Sequence, residues 1–138
     1  MNNRLLTFVA LCLALPSMAN GILMIVNPEY WYWLVPGVPD RGPFNQHFLR
    51  DIGFIYLLIG CAFLYGAFYA KHRLMLWIFP AAWLVAHAFF HLWEIAVGLC
   101  GIEFFLIDFP GVTLPAILAI WLTYQSKPSK SNSNKSHD

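Results

Sequence analysis

Four apolar stretches, each about as long as a membrane-crossing helix, constrain this chain more than any other feature of its sequence. They occupy residues 5–26, 47–70, 74–99 and 107–124. A helix needs about 20 apolar residues to cross the hydrocarbon core of a bilayer, and backbone polar groups in lipid are satisfied only within helices or closed barrels. The pattern predicts an all-α integral membrane protein, a four-helix bundle of antiparallel up-down topology, with residues 1–124 as its transmembrane domain.

Composition favours the same class. Of the 138 residues, 59% are apolar and 11% are charged, and the net charge is +1. A soluble domain of this size has too little interior to bury that much apolar surface, and so few scattered basic residues argue against a nucleic-acid partner. We expect the lipid bilayer to surround the chain, with a redox protein or a second copy of the chain as candidate protein partners.

The segments outside the four stretches each carry a recognisable signal. Residues 1–19 resemble a secretory signal ending at Ser17-Met18-Ala19, although the apolar character resumes in residues 21–26 and favours an uncleaved helix. The loop of residues 27–46 is rich in aromatic residues and proline, and is expected to lie at headgroup level over one end of the bundle. The polar tail, residues 125–138, is predicted to be disordered and cytoplasmic.

Charged residues divide between the two ends of the predicted bundle. Six of the eight basic residues fall at the chain termini or in the 71–73 turn, and six of the seven acidic residues fall at the opposite end. Because Lys and Arg are retained on the cytoplasmic side, both termini are predicted to be cytoplasmic, in a plasma (inner) membrane. The six basic residues are Arg4, Lys71, Arg73, Lys127, Lys130 and Lys135.

Polar side chains on the second and third predicted helices form the candidate site. Only residues 71–73 separate these helices, so we expect an antiparallel hairpin that places Arg50 level with Glu94. The third helix presents further polar residues on the face of Glu94, because its spacings of four and three residues keep them together. The predicted ligand pocket, facing the non-cytoplasmic side, consists of His47, Arg50, Asp51, His87, His91 and Glu94, with Asn20 and Thr113 at similar depth.

Ionisable groups inside a membrane usually pair with one another and mark function. We therefore predict an ion pair between Arg50 and Glu94, with Asp51 and His91 beside it, in which His91 binds a ligand or shuttles a proton. The residues leave two alternatives open. Arg50 could extend to the interface while Asp51 caps the helix start, or the pair could serve only to fix helix register.

The spacing of His87 and His91 also suggests a metal. Imidazoles on consecutive turns can bind zinc, copper or iron when Glu94 or another side chain supplies a third ligand. A bis-histidine haem is a weaker candidate, since only His47 could provide the second axial ligand from another helix. The sequence leaves three functions open: a binding or accessory protein that assists a redox system, a membrane metalloenzyme or oxidoreductase subunit, and a proton-coupled carrier of small solutes.

Two short motifs in the second stretch resemble the DoxX-like group of small four-helix membrane proteins. They are Arg50-Asp51-Ile52-Gly53 and Tyr56-Leu57-Leu58-Ile59-Gly60, which follow a proline-containing loop as the group's pattern requires. The resemblance covers most of residues 5–124 and implies a role auxiliary to quinone-linked oxidoreductases. The histidine-rich segment of residues 87–94 departs from the group's general pattern.

Overall fold

A computed structural model describes residues 3–127, and this part of the chain contains helices and no strand. Two 3-10 turns, Pro39–Arg41 and Ala70–His72, and one π-helical turn, Phe109–Thr113, connect the α-helices. The α-helices are α1 (Asn3–Val26), α2 (Pro28–Leu34), α3 (Gln46–Phe68), α4 (Arg73–Ala96), α5 (Phe104–Asp108) and α6 (Leu114–Gln125). The predicted tail lies outside the described residues from residue 128 onward, and Gln125 is the last residue of α6.

Within residues 3–127, four helical segments are long and apolar enough to cross a membrane. They are Asn3–Val26, Gln46–Phe68, Ala70–Ala96 and Phe104–Gln125. Each matches one of the four stretches predicted from the sequence within a few residues. The all-helical class is confirmed, and the segments are consistent with a multi-pass membrane protein.

Glycine determines how closely α1 and α3 approach. A Cβ atom added to Gly21 would lie 2.6 Å from the carbonyl oxygen of Gly53, and one added to Gly53 would lie 2.9 Å from Cβ of Met24. The two backbones are therefore in contact, as small residues permit in membrane bundles. At the other end of the pair, the Thr7 hydroxyl donates a hydrogen bond to the Ala67 carbonyl (3.2 Å), so the two helices run in opposite directions.

A buried tryptophan joins the remaining helices. Trp77 of α4 is fully buried, and its indole N–H donates to the carbonyl oxygen of Phe63 in α3 at 3.4 Å. Its own carbonyl accepts a hydrogen bond from the hydroxyl of Thr123 in α6 at 3.3 Å. Large apolar side chains such as Phe79 (77% exposed) cover the outside of the bundle. Such an exposed apolar surface is typical of contact with lipid.

Arg73 closes the bundle end at which α3 finishes and α4 begins. Its side chain donates to the carbonyl oxygens of Gly66 (2.9 Å) and Ala67 (3.0 Å) in the last turn of α3. Carbonyl groups in the last turn of a helix have no partner within the helix and carry its negative dipole end. Arg73 satisfies two of them and is itself buried, with 7% of its surface exposed.

Candidate functional site

The loop between α1 and α3 folds over one end of the bundle and carries Arg41 inward. The indole N–H of Trp31 in α2 donates to Oδ1 of Asn20 in α1 at 2.7 Å, which fixes the start of the loop. The buried Tyr32 hydroxyl donates to the carbonyl of Gly42 at 2.7 Å. Gly42 has a φ of 151°, a conformation that favours glycine. Between these two anchors, the turn Pro39–Arg41 places the arginine near the end of α4.

Arg41 lies between two carboxylates from different helices. Its Nη2 atom donates to Oδ2 of Asp108 at 2.6 Å, and its Nε atom lies 3.5 Å from Oε2 of Glu94. The three side chains are 14%, 8% and 11% exposed, in the order Arg41, Asp108, Glu94. Burial lowers the pKa of Arg41, but its hydrogen bond to Asp108 and the negative charge of that carboxylate contribute to a larger opposing effect, so the net pKa is raised and the guanidinium stays charged.

Two histidines extend this cluster along α4. Nδ1 of His91 lies 2.8 Å from Oδ2 of Asp108, the oxygen that Arg41 also contacts. When Nδ1 carries the proton, it donates to the carboxylate and leaves Nε2 as an acceptor. The ring of His87, one turn earlier, is centred 4.5 Å from that of His91, and the rings of Tyr56 and Trp83 are each centred 6.3 Å from that of His87. Polar groups thus continue from the loop toward the middle of α4.

The chain between α4 and α6 positions both carboxylates. Gly98, with a φ of 77°, ends α4, and the next two backbone N–H groups donate to the Glu94 carbonyl at 2.9 and 3.3 Å. Asp108 is the last residue of α5, and the π-helical turn follows it at once. Pro110 lies inside this turn and has no N–H to donate, which favours a departure from α-helical bonding. Such π-turns occur frequently at functional sites.

The predicted ion pair between Arg50 and Glu94 is wrong. Nε of Arg50 donates instead to the carbonyl oxygen of Ile25 in the last turn of α1, at 3.0 Å. The physical reason is that α3 turns its glycine side toward α1, and Arg50 follows that side. Glu94 takes its cation from the loop, as Arg41 reaches it from above the bundle end.

The other predicted pocket residues lie in different places. His47 and Asp51 form a pair on the surface of α3, with a distance of 3.4 Å and side chains that are 90% and 59% exposed. Asn20 holds Trp31. Thr113 lines an apolar groove of about 140 Å³ between α4 and α6. Of the predicted set, His91 and Glu94 belong to the buried cluster and His87 lies beside it.

The predicted metal ligands do not form a coordination set. Among residues 3–127, no group of three or more His, Cys, Asp or Glu side chains is arranged to hold a metal ion. His91 is turned to Asp108, and Glu94 is paired with Arg41. The second axial ligand suggested for a haem, His47, is on the protein surface and pairs with Asp51.

Sequence reasoning missed Arg41 and Asp108 as site residues, although the distribution of charges had predicted that both lie at the non-cytoplasmic end of the bundle. Asp108 follows four apolar residues, Phe104 to Ile107, and precedes Phe109. A carboxylate in such a setting needs a buried partner. Arg41, the basic residue of the loop on the same side, was the residue that could have been identified as this partner.

Comparison of the chain with family models, with curated proteins and with solved structures finds no match. The basis for a function is therefore the cluster of Arg41, Glu94, Asp108 and His91.

Proposed function

We propose that this chain is an inner-membrane binding or accessory protein, in which the cluster of Arg41, Glu94, Asp108 and His91 holds a small polar ligand and assists a redox system. In this proposal the helices cross the membrane in up-down order with both termini in the cytoplasm. The predicted excess of basic residues at the chain ends supports this orientation. The loop and the cluster then face the non-cytoplasmic side.

Two buried atoms without hydrogen-bond partners carry the proposal. Within the described part of the chain, neither Nε of Arg41 nor Oε2 of Glu94 has a hydrogen-bond partner, although both are buried. Buried polar groups are nearly always hydrogen-bonded, and each exception requires an explanation. Nε is a donor and Oε2 is an acceptor, and the two atoms lie 3.5 Å apart as an ion pair that lacks the geometry of a hydrogen bond. A ligand with a neighbouring acceptor and donor, such as a hydroxyl or an amide group, would give each atom a hydrogen bond.

The charge balance of the cluster points to a proton as part of the chemistry. One guanidinium faces two carboxylates, which leaves an excess of negative charge in a buried place. Burying a charge without compensation is costly. A proton on His91, shared with Asp108, would restore the balance. We propose that His91 gives this proton to the ligand, or takes one from it, while Asp108 holds the imidazole in position.

Retention of a small molecule by the purified protein tests this function. The chain is extracted from its native membrane in a mild detergent and denatured, and the released compounds, bound metals and visible spectrum are measured. We expect a polar compound in stoichiometric amount in the unmodified protein and its loss in Asp108→Asn. The matched control is Asp51→Asn, the same substitution on the exposed surface of α3. Equal content in the two variants would contradict the proposal.

A proton-coupled carrier is the second candidate, and the position of His87 supports it. His87 continues the polar groups from His91 toward the middle of α4, as a proton path into the membrane would require. Liposomes that contain the protein and a pH-sensitive dye test this candidate. Under an imposed pH gradient, proton entry should fall in His87→Asn and not in the exposed control His47→Asn. Entry that is equal in both variants, or no faster than in empty liposomes, would refute it.

The resemblance to the DoxX-like group, the redox partner and the homo-oligomer stay predictions. Affinity purification of the chain from native membranes, followed by identification of the proteins that accompany it, tests the redox partner. A redox subunit that is retained by the Asp51→Asn protein and lost from the Asp108→Asn protein would connect the partner to the cluster.

A further inference from the structure

The end of the bundle opposite to the cluster contains a groove that the proposed function does not use. The groove has a volume of about 390 Å³ and is lined by Asn3, Arg4, Thr7, Phe8 and Leu11 of α1. This volume falls within the usual range of small-molecule sites. Polar side chains line the part near the end of the bundle, and apolar side chains line the part further in. Phe8 is 64% exposed along this surface.

A buried positive charge lies directly behind the wall of this groove. Nη1 of Arg73 donates to Oδ1 of Asn3 at 3.1 Å, and its Nη2 lies 3.4 Å from the Thr7 hydroxyl oxygen. All the groups that accept its hydrogen bonds are neutral, and within residues 3–127 no carboxylate is at ion-pair distance from it. Among the described residues, the buried guanidinium therefore has no counter-ion, which is costly. The groove is the open space next to it.

We propose that this groove binds an anionic phospholipid, with the phosphate near Asn3 and Arg4 and one acyl chain along Phe8 and Leu11. The phosphate would bring a negative charge close to Arg73, and the amide of Asn3, which turns Oδ1 to Arg73, would donate from its N–H groups to the phosphate. The order of polar and apolar lining matches the order of headgroup and chain in a lipid. In the proposed orientation this end faces the cytoplasmic leaflet, where anionic lipids attract basic residues.

Native mass spectrometry of the purified protein in a nonionic detergent tests the site. The protein is titrated with dioleoyl phosphatidylglycerol and, separately, with dioleoyl phosphatidylcholine. We expect the first lipid to bind more tightly than the second. The variant Arg4→Gln should lose about fivefold in affinity for phosphatidylglycerol, the effect expected for one basic residue near a lipid surface. Thermal unfolding of the variant in detergent checks that it is folded.

The matched control is Lys127→Gln, which removes another cation from the same end of the bundle. Lys127 lies outside the groove and packs on Tyr124. It should bind phosphatidylglycerol as the unmodified protein does. Equal affinity for the two lipids, or an equal loss in the control, would overturn the proposal. Displacement by soluble glycerol 3-phosphate at the same concentration as the lipid would also overturn it, since the site would then recognise a free phosphate ester.

The lipid site rests on the membrane location of the proposed function but not on its polar cluster. His91→Ala removes a residue of the cluster at the other end and should leave lipid binding unchanged. Lipid binding and ligand retention can therefore fail independently of each other.

Discussion

Replacing Arg41 with methionine should be the most destabilising single change in the loop. The substitution removes a hydrogen bond of 2.6 Å to Asp108 and a contact of 3.5 Å with Glu94, and it leaves both carboxylates, which are 8% and 11% exposed, without this cation. Removing one partner of a buried ion pair typically costs about 3–5 kcal/mol, because the remaining charge stays buried without compensation. We expect a loss of this size in the free energy of unfolding.

Reversible unfolding in mixed detergent micelles, followed by tryptophan fluorescence, measures this loss. Arg50→Met is the matched control, because Arg50 makes one hydrogen bond to a neutral carbonyl at 3.0 Å and is only half-buried. Its loss should be about 1.5 kcal/mol. When Asp108→Asn and Glu94→Gln are already present, Arg41→Met should also cost no more than about 1.5 kcal/mol, since neutral amides replace the carboxylates. A smaller loss for Arg41→Met than for Arg50→Met would refute the electrostatic argument.

Two further predictions concern the parts that hold the site in place. Gly21→Ala should lower the free energy of unfolding by about 1–3 kcal/mol, because the new methyl group would push α1 away from the backbone of Gly53. Gly111→Ala is the control: a Cβ atom added there has no neighbour within 4 Å, so its free energy of unfolding should hardly change in the same assay. Trp31→Phe should cost about 1 kcal/mol through the lost hydrogen bond to α1. Trp33→Phe, at a site that is 68% exposed, should leave the unfolding curve unchanged; losses that do not differ between the two tryptophans would contradict the anchoring role.

The sequence contained enough information to predict the four long helices. Apolar runs of about 20 residues have one stable conformation in lipid, so their existence and length follow from composition alone. The ends were less certain, because they depend on local bonding. For example, α4 ends at Ala96, because Gly98 turns the chain with a positive φ, whereas the apolar run continues to residue 99.

The arrangement of charges could not be read from the same pattern. Helix rise places Arg50 and Glu94 at similar depth in a hairpin, but depth leaves the rotation of each helix undetermined. Gly21, Gly53 and Gly60 decide that rotation for α3, because their small surfaces allow the backbones of α1 and α3 to touch. Arg41 reaches the site through a loop whose path depends on contacts between distant residues, and no periodicity in the sequence reports such a path.

The two buried arginines at opposite ends of the bundle show why only one of them is proposed to handle a small polar ligand. Arg73 donates hydrogen bonds to backbone carbonyls and neutral side chains at its own end of the bundle, so removing it would mainly weaken the packing of the helices there. Arg41 faces two carboxylates and leaves its Nε without a hydrogen-bond partner among the described residues. A guanidinium that serves only as a structural clamp would be expected to use all its donors. In the proposed function, the unused donor of Arg41, which faces the unused acceptor of Glu94 at 3.5 Å, is the feature that separates this cluster from the cap that Arg73 forms.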